Sequence, residues 1–332
     1  MPPLSHIKII CILLLGGADS TQADDWPQLL GPNANNVSKE TGLIDSFPKT
    51  GPKQIFAKRI GTGYAAPSIK DGKVVVFHRA NKLYKIEEGD TFESVVKYLN
   101  NELSALKAND RLTVESIKLS LKNTNRRLPR GYIPLPETVA NHLDVEVIDC
   151  LDAKTGNLLW RHAYPTSYED PYGYNNGPRC APLLTKKRVY TYGAEGILLC
   201  LDFASGKQIW RRDTHKDFTV IPNFFGVGST PILEGDLLLT MVGGQPNSGM
   251  VAFNAKTGKT VWESIGKNTW NGVPKLGWRG EPLMIWRGQE KIASYASPVI
   301  ATVHGKRVAF CLMRQGLVAL DPATGKEYFK RW

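Results

Sequence analysis

Residue types that do covalent or redox chemistry are thinly spread along this chain. His78, His142, His162, His215 and His304 include no pair at the short spacing that lets two imidazoles share a zinc ion. Cys150, Cys180, Cys200 and Cys311 include no adjacent pair, and no acidic run has calcium-loop spacing. There is no Gly-x-Ser-x-Gly nucleophile elbow and no phosphate-binding glycine loop. What remains is the chemistry of recognition. Tyr172, Tyr174, Asn176 and Arg179 bring two aromatic faces, an amide and a guanidinium into one short stretch. Such a set can stack on a ligand and hydrogen-bond its edge, or it can simply brace a loop. Trp270, Trp278 and Trp286 fall in or beside another loop, near residues 268–282, where they can line a groove or cap a sheet edge.

These side chains need a scaffold, and a repeated phrase defines it. Asp152, Asp202, Asn254 and Asp321 are each followed four residues on by Gly156, Gly206, Gly258 and Gly325, and then by Trp160, Trp210, Trp262 and Phe329. An Asp or Asn side chain here can accept backbone N–H groups two or three residues ahead, and Gly supplies the positive φ that closes the turn. The aromatic begins an outer strand and packs between neighbouring sheets. Around the second copy, short apolar runs at Ala181–Leu184, Arg188–Tyr192, Ile197–Leu201 and Gln208–Trp210 read as four strands joined by tight turns. Four-stranded antiparallel units at a period of about 50 residues make an all-β chain built as a β-propeller.

A proline opens each unit, at Pro67, Pro182, Pro231 and Pro298. The first unit is longer than the others by about 65 residues, which places an insert between Lys73–Phe77 and Val145–Leu151, at a hairpin tip. The expected organisation is a leader at 1–23, a propeller part at 24–79, an inserted module at 80–144 and the propeller continuing over 145–332. The length outside the insert corresponds to about five units, either a compact ring or an incomplete one forming an open arc. The insert differs in kind from its host. Phe92–Leu106 and Thr113–Lys122 carry helical spacing, with Asp90 or Thr91 as the first N-cap.

The phrase resembles the tryptophan-docking motif of the PQQ-type quinoprotein propeller repeat. Asp25-Trp-Pro-Gln28, Gly31-Pro32, Thr41-Gly-Leu43, the stretch Tyr172–Arg179 and the stretch Phe224–Pro231 are similar to the bacterial exported PQQ-binding-like propeller proteins. That resemblance offers two functions. The PQQ-dependent alcohol dehydrogenases hold PQQ over a vicinal Cys-Cys ring, beside a calcium-bound carboxylate and a catalytic Asp. The adjacent Cys pair and the calcium-loop carboxylates are missing here, so no catalytic residue is assigned and no cofactor or metal is expected, PQQ being the alternative. The propeller subunit of the outer-membrane protein assembly machinery shares the repeat without catalysis. It implies a scaffold that binds another protein on its propeller face.

The insert resembles a LysM module: a strand near Tyr84, Gly89-Asp90-Thr91 at the start of the first helix, a second helix ending near Asn123, a Pro129-Arg-Gly131 turn and a closing strand. That likeness implies binding of an N-acetylglucosamine chain such as peptidoglycan, with Asp90, Thr91, Phe92, Gly131 and Tyr132 as contacts. Residues 1–23 read as a secretory signal. Lys8 precedes the apolar run Ile9–Leu15, and Thr21-Gln-Ala23 ends it with a small-x-small site, so cleavage is expected after Ala23. The run is too short to span a bilayer. The protein is therefore expected in the periplasm or cell envelope, with its four remaining cysteines as buried free thiols. The formal charge is +11. It favours anionic polymers as partners, while export and the lack of a basic–aromatic module argue against nucleic acid.

Overall fold

A computed structural model describes residues 24–43, 45–80, 83–86, 88–124, 132–220, 225–266, 269, 293–314 and 316–331. The leader at 1–23, Gly131 and the tryptophans Trp270, Trp278 and Trp286 lie outside them.

Four sheets carry the fold. The first is β1 (Ser68–Lys70) and β2 (Lys73–Arg79), completed by two later strands. Between its halves come β3 (Leu83–Lys85), α1 (Phe92–Ala105), α2 (Val114–Asn123), β4 (Tyr132–Pro134) and α3 (Glu137–His142). The sheet then resumes with β5 (Val145–Asp152) and β6 (Leu158–Pro165). The second sheet is β7 (Leu183–Leu184), β8 (Arg188–Tyr192), β9 (Ile197–Asp202) and β10 (Gln208–Asp213), with one turn of helix, α4 (Thr214–Asp217), leading out of it. The third is β11 (Ile232–Glu234), β12 (Leu237–Gly244), β13 (Ser248–Asn254) and β14 (Thr260–Ser264). The fourth is β15 (Val299–Val303), β16 (Lys306–Leu312), β17 (Leu317–Leu320) and β18 (Glu327–Arg331). Every pairing is antiparallel, sequential in three of the four sheets and in the first joining β2 to β5 across the inserted stretch, and each first strand starts one residue after its proline, where a missing N–H leaves no ladder bond unmade. Among the described residues, 24–66 build no further four-stranded sheet. They contribute isolated bridges, Trp26 to Ile69 and Thr62 to Arg79.

Each repeated phrase folds as its side chains dictate. Asp152 Oδ1 accepts from the amides of Lys154 (3.0 Å) and Thr155 (2.8 Å), and the Gly156 amide donates to the Asp152 carbonyl at 2.8 Å. Asp202, Asn254 and Asp321 accept from the corresponding amides of Ser205, Thr257 and Ala323. The aromatic of each sheet then lies on the glycine of the next. Trp160 lies on Gly206, Trp210 on Gly258 and Trp262 on Gly325. Their indole N–H groups donate to Phe203 O (3.1 Å), Ala255 O (3.1 Å) and Pro322 O (3.2 Å). Gly156 is met in the same way by Phe56, from the segment that precedes the first sheet. Phe329 stays 47% exposed, with no further turn over it among the described residues.

The hydrophobic core lies between sheets. Val75, Phe77, Ile148 and Trp160 pack against Val189, Leu199, Leu201 and Phe203, and the same pattern joins the second sheet to the third and the third to the fourth. Middle strands are covered on both faces, so Leu198, Leu199, Cys200 and Leu201 are all fully buried in a continuous apolar run.

Between β2 and β5, the inserted stretch has its own small core, around Val95, Leu99, Leu103, Ile117, Ile133 and Leu143. Its order is β3-α1-α2-β4, with β3 and β4 paired antiparallel, followed by α3. Thr91 caps α1 and Thr113 caps α2, each in a reciprocal box with a serine three residues on. The sequence pattern gave no warning of α3, whose six residues are too few to show a period. A buried ionic chain ties the stretch to the sheet. Arg161 donates to Glu102 on α1 (2.8 Å) and to Asp149 on β5 (2.6 Å), and Asp149 also meets His78 at 3.2 Å.

Candidate binding face

Strand direction divides the molecule into two faces. The Asp–Gly turns and the first hairpin turns lie at one end of every sheet, because Lys73 pairs with Asp152 and Arg188 with Asp202. The loops that pass from one sheet to the next lie at the opposite end, together with the inserted stretch.

There the loop 166–182 is held rigidly. The Asp170 amide donates to Asn176 Oδ1 at 2.8 Å, and the Tyr172 amide donates to Asp170 Oδ1 at 2.9 Å. Arg179 donates to Asp170 Oδ2 (3.1 Å), Gly177 O (2.6 Å) and Asn175 O (2.9 Å), and lies over the Tyr168 ring. Pro178 O accepts from the amides of Tyr64 and Ala65, locking the loop to the preceding segment. Arg79, itself buried, donates to the carbonyls of Tyr168 and Asn176 and pairs with Asp144. Glu195 accepts from Ser167 and Thr166 at the root of the loop. Burial opposes its ionisation, but these bonds prevail and hold its carboxyl below the usual range.

Of the four residues singled out here, Arg179 and Asn176 are thus committed to bracing the loop. The other two are presented. Tyr172 is 61% and Tyr174 71% exposed, and they join two residues that sequence spacing did not connect. Phe225 packs on both at ring distances of 5.9 and 6.2 Å and on Tyr295 at 5.7 Å, and the Tyr295 hydroxyl accepts from the Phe225 amide at 3.2 Å. Three inter-sheet loops, far apart in sequence, meet in this one aromatic patch. Their shared position, just before a sheet-opening proline, was the available sequence signal.

In the inserted stretch, Asp90 accepts from Arg59 and from the Tyr84 hydroxyl, both at 3.2 Å. Thr91 is the exposed N-cap, Phe92 is half-buried against the insert's core, and Tyr132 is half-buried in β4. Gly131 belongs to the residues not described.

Sheets of four strands, stacked by a repeated Asp–Gly–aromatic dock, define a β-propeller of the PQQ-repeat type. Residues 144–331 match the PQQ-repeat family model described as outer membrane protein assembly factor BamB, and the chain belongs to that family. Among curated relatives, the quinoprotein alcohol dehydrogenase PedH of Pseudomonas putida is 43% identical over 68 residues, which is 20% of this chain and 10% of that protein. The quinohemoprotein alcohol dehydrogenase of Comamonas testosteroni is 24% identical over 183 residues, 50% of this chain and 24% of that protein. The chain thus matches at most about a quarter of the length of these relatives. The crystal structure of the Comamonas enzyme superposes with a TM-score of 0.39 at 18% identity, over 57% of this chain and 33% of that one. BamB from Moraxella catarrhalis superposes with a TM-score of 0.34 at 16% identity, over 57% and 49%.

The dehydrogenase relatives raise the question of a quinone. Among the described residues, no three His, Cys, Asp or Glu side chains gather where they could hold a metal ion. The cysteines are buried and free, with Cys150 and Cys200 on neighbouring sheets. Burial pushes the Cys150 thiol up to about 11 and the Cys200 thiol up to about 12, so both stay protonated. The donors of a calcium-held quinone are therefore not brought together in the described part of the chain.

Proposed function

We propose that this protein is a non-catalytic propeller scaffold of the cell envelope, which binds another protein on the face carrying Tyr172, Tyr174, Phe225 and Tyr295. The observation that carries this reading is the construction of that patch. Exposed Tyr172, Tyr174 and Tyr295 gather around the half-buried Phe225, and the loop carrying Tyr172 and Tyr174 is fixed by Arg179 and Asp170, whose side chain is wholly buried. A large aromatic surface held at low entropy is what protein recognition uses, since little ordering remains to be done on binding. The family description, an assembly factor, supports the same role. No helix among the described residues is long and apolar enough to cross a membrane. Residues 1–23 act as an export signal cut after Ala23, which puts the propeller in the periplasm.

The test is site-specific photocrosslinking from position 174 in intact cells, compared with a probe at the exposed Thr257 on the opposite face. A discrete adduct from position 174 alone supports the scaffold. Adducts from neither position, together with dye reduction when PQQ and calcium are supplied, would replace it with the oxidoreductase reading.

The β3-α1-α2-β4 order of the insert favours a second, compatible role as a LysM-like module that holds the propeller to cell-wall glycan. Retention on purified peptidoglycan, compared between the full chain and a variant carrying T91A and Y132A, tests it. Equal retention of the two would remove Thr91 and Tyr132 from any glycan site.

A further inference from the structure

The face opposite the aromatic patch carries a different chemistry. Every sheet ends there in two turns, and the turns are rich in lysine. Lys154, Lys207, Lys259 and Lys326 sit on the four Asp–Gly turns, and Lys186, Lys187 and Lys306 on first hairpin turns. All seven are exposed, and none has a carboxylate within salt-bridge distance among the described residues. The acidic groups of this face are already engaged. Asp152 and Asp202 accept the hydroxyls of Thr155 and Ser205 together with backbone amides of their own turns, Asp321 accepts turn amides and the Tyr328 hydroxyl, and these bonds hold the three carboxyls below the usual range. Asp236 pairs with Lys256, Glu234 with Arg307 and Asp25 with Lys70.

Directly behind each Asp–Gly turn, on the outer strand, stands an exposed apolar side chain. These are Leu159 (48% exposed), Ile209 (44%), Val261 (52%) and Tyr328 (41%). Each immediately precedes the docking aromatic and is the extra, unpaired residue of a β-bulge in its outer strand, which leaves its side chain exposed. One period of the chain therefore places a cation at the tip of every sheet and an apolar group just inside it.

We infer that this face docks on an anionic phospholipid bilayer, with the lysines among the headgroup phosphates and the apolar residues at the rim. The cations stand on separate turns spread over four sheets. That layout matches an extended charged plane better than one strand of polymer. Long lysine stems cover apolar surface while their ammonium groups reach phosphate, and each lysine near an acidic surface contributes about 1 kcal/mol, a factor of about five in binding. The inference is independent of the partner on the aromatic face, which such docking would leave turned away from the membrane.

Vesicle flotation of the full chain tests it. The readout is the ratio of binding to phosphatidylglycerol-containing vesicles over binding to pure phosphatidylcholine vesicles. The wild-type ratio should be large and should fall with added salt. The quadruple variant K154Q/K207Q/K259Q/K326Q should lower it by about 600-fold, at about five per lysine. These side chains are exposed, so the variant should keep the wild-type circular dichroism spectrum. The matching change on the insert, K97Q/K107Q/K118Q/K122Q, should leave the ratio as it was. A wild-type ratio near one, or an unchanged ratio in the first variant, overturns the inference. Binding to heparin that survives where vesicle binding is absent also overturns it, and assigns the face to soluble polyanions.

Discussion

The indole of Trp210 lies so close over Gly258 that a β-carbon built there would meet the ring at 2.8 Å, while the indole N–H donates to Ala255 O in the same turn. Two sheets are locked by one residue from each, and Gly258 is further held at φ +70°. G258A should therefore suffer twice, from the left-handed backbone and from the ring that must move. A loss of about 2–4 kcal/mol is expected. Gly235 is the control. It has φ +58° and open space around it, so G235A should lose only about 1 kcal/mol. Urea unfolding of both variants measures the difference. Equal losses would mean that the indole yields freely.

Ala255 O accepts twice, from Trp210 Nε1 and from the Tyr190 hydroxyl at 3.0 Å. Removing either donor leaves the carbonyl satisfied by the other, and removing both leaves it buried and unpaired. W210F and Y190F should each cost about 1–2 kcal/mol, and the double variant about 1 kcal/mol more than their sum. A double-mutant cycle by chemical unfolding reads that excess directly. Strict additivity would show that water reaches the carbonyl once the donors are gone.

The architecture was legible in the sequence because the repeated phrase is local. Asp, Gly and the aromatic lie within nine residues, so each turn could be read without knowing its neighbours. Helices α1 and α2 were legible from spacing, which narrowed the cap of α1 to Asp90 or Thr91, whereas Thr113, the first residue of the second helical spacing, is the cap of α2. Phe56 was not, because it docks on a glycine a hundred positions later and stands in no phrase of its own. The aromatic patch of the candidate face was half legible. Tyr172 and Tyr174 stood out as a pair, but Phe225 and Tyr295 join them only through the stacking of sheets. Conversely Arg179, which suggested a ligand contact by type, has its donors taken by Asp170, Asn175 and Gly177.

Asp149 gives stability a dependence on pH. Burial works against its ionisation, but hydrogen bonds from Arg161 and His78 prevail and hold the carboxyl at about 2. An unfolded aspartate titrates at about 3.9, so the native state prefers the ionised form by about 2–3 kcal/mol. That contribution is complete above about pH 4 and is lost as the pH falls through the window down to about 2. D149N should be destabilised at pH 7, also leaving Arg161 with Glu102 as its remaining charged partner, and its deficit should shrink below pH 3. Thermal unfolding of wild type and variant across that range checks the convergence.

The buried thiols give a chemical measure of sheet closure. Cys150, Cys180, Cys200 and Cys311 are buried, and burial pushes all four thiols up, that of Cys311 to about 12. In a C11S background, a thiol reagent should therefore titrate close to no thiol in the native protein and four in denaturant. Fast native labelling of any one would identify an inter-sheet core that opens without global unfolding.

Glu146 should behave in the opposite sense to Asp149. It lies wholly buried beside Tyr164 and Ala194, and burial raises its carboxyl despite the bonds from the Ala194 amide and the Tyr164 hydroxyl. A raised group favours the protonated native state. Its contribution is fully present below the unfolded value, near about 4.3, and is lost as the pH climbs toward the folded one. As the pH rises above the unfolded value the buried carboxyl becomes a burden that a neutral isostere removes, since Gln keeps an oxygen for Ala194. E146Q should match or exceed wild type in melting temperature at pH 8 and lose that advantage near pH 4. A variant much less stable at pH 8 would mean that the ionised carboxylate, bonded by Tyr164 and Ala194, is the form the fold requires.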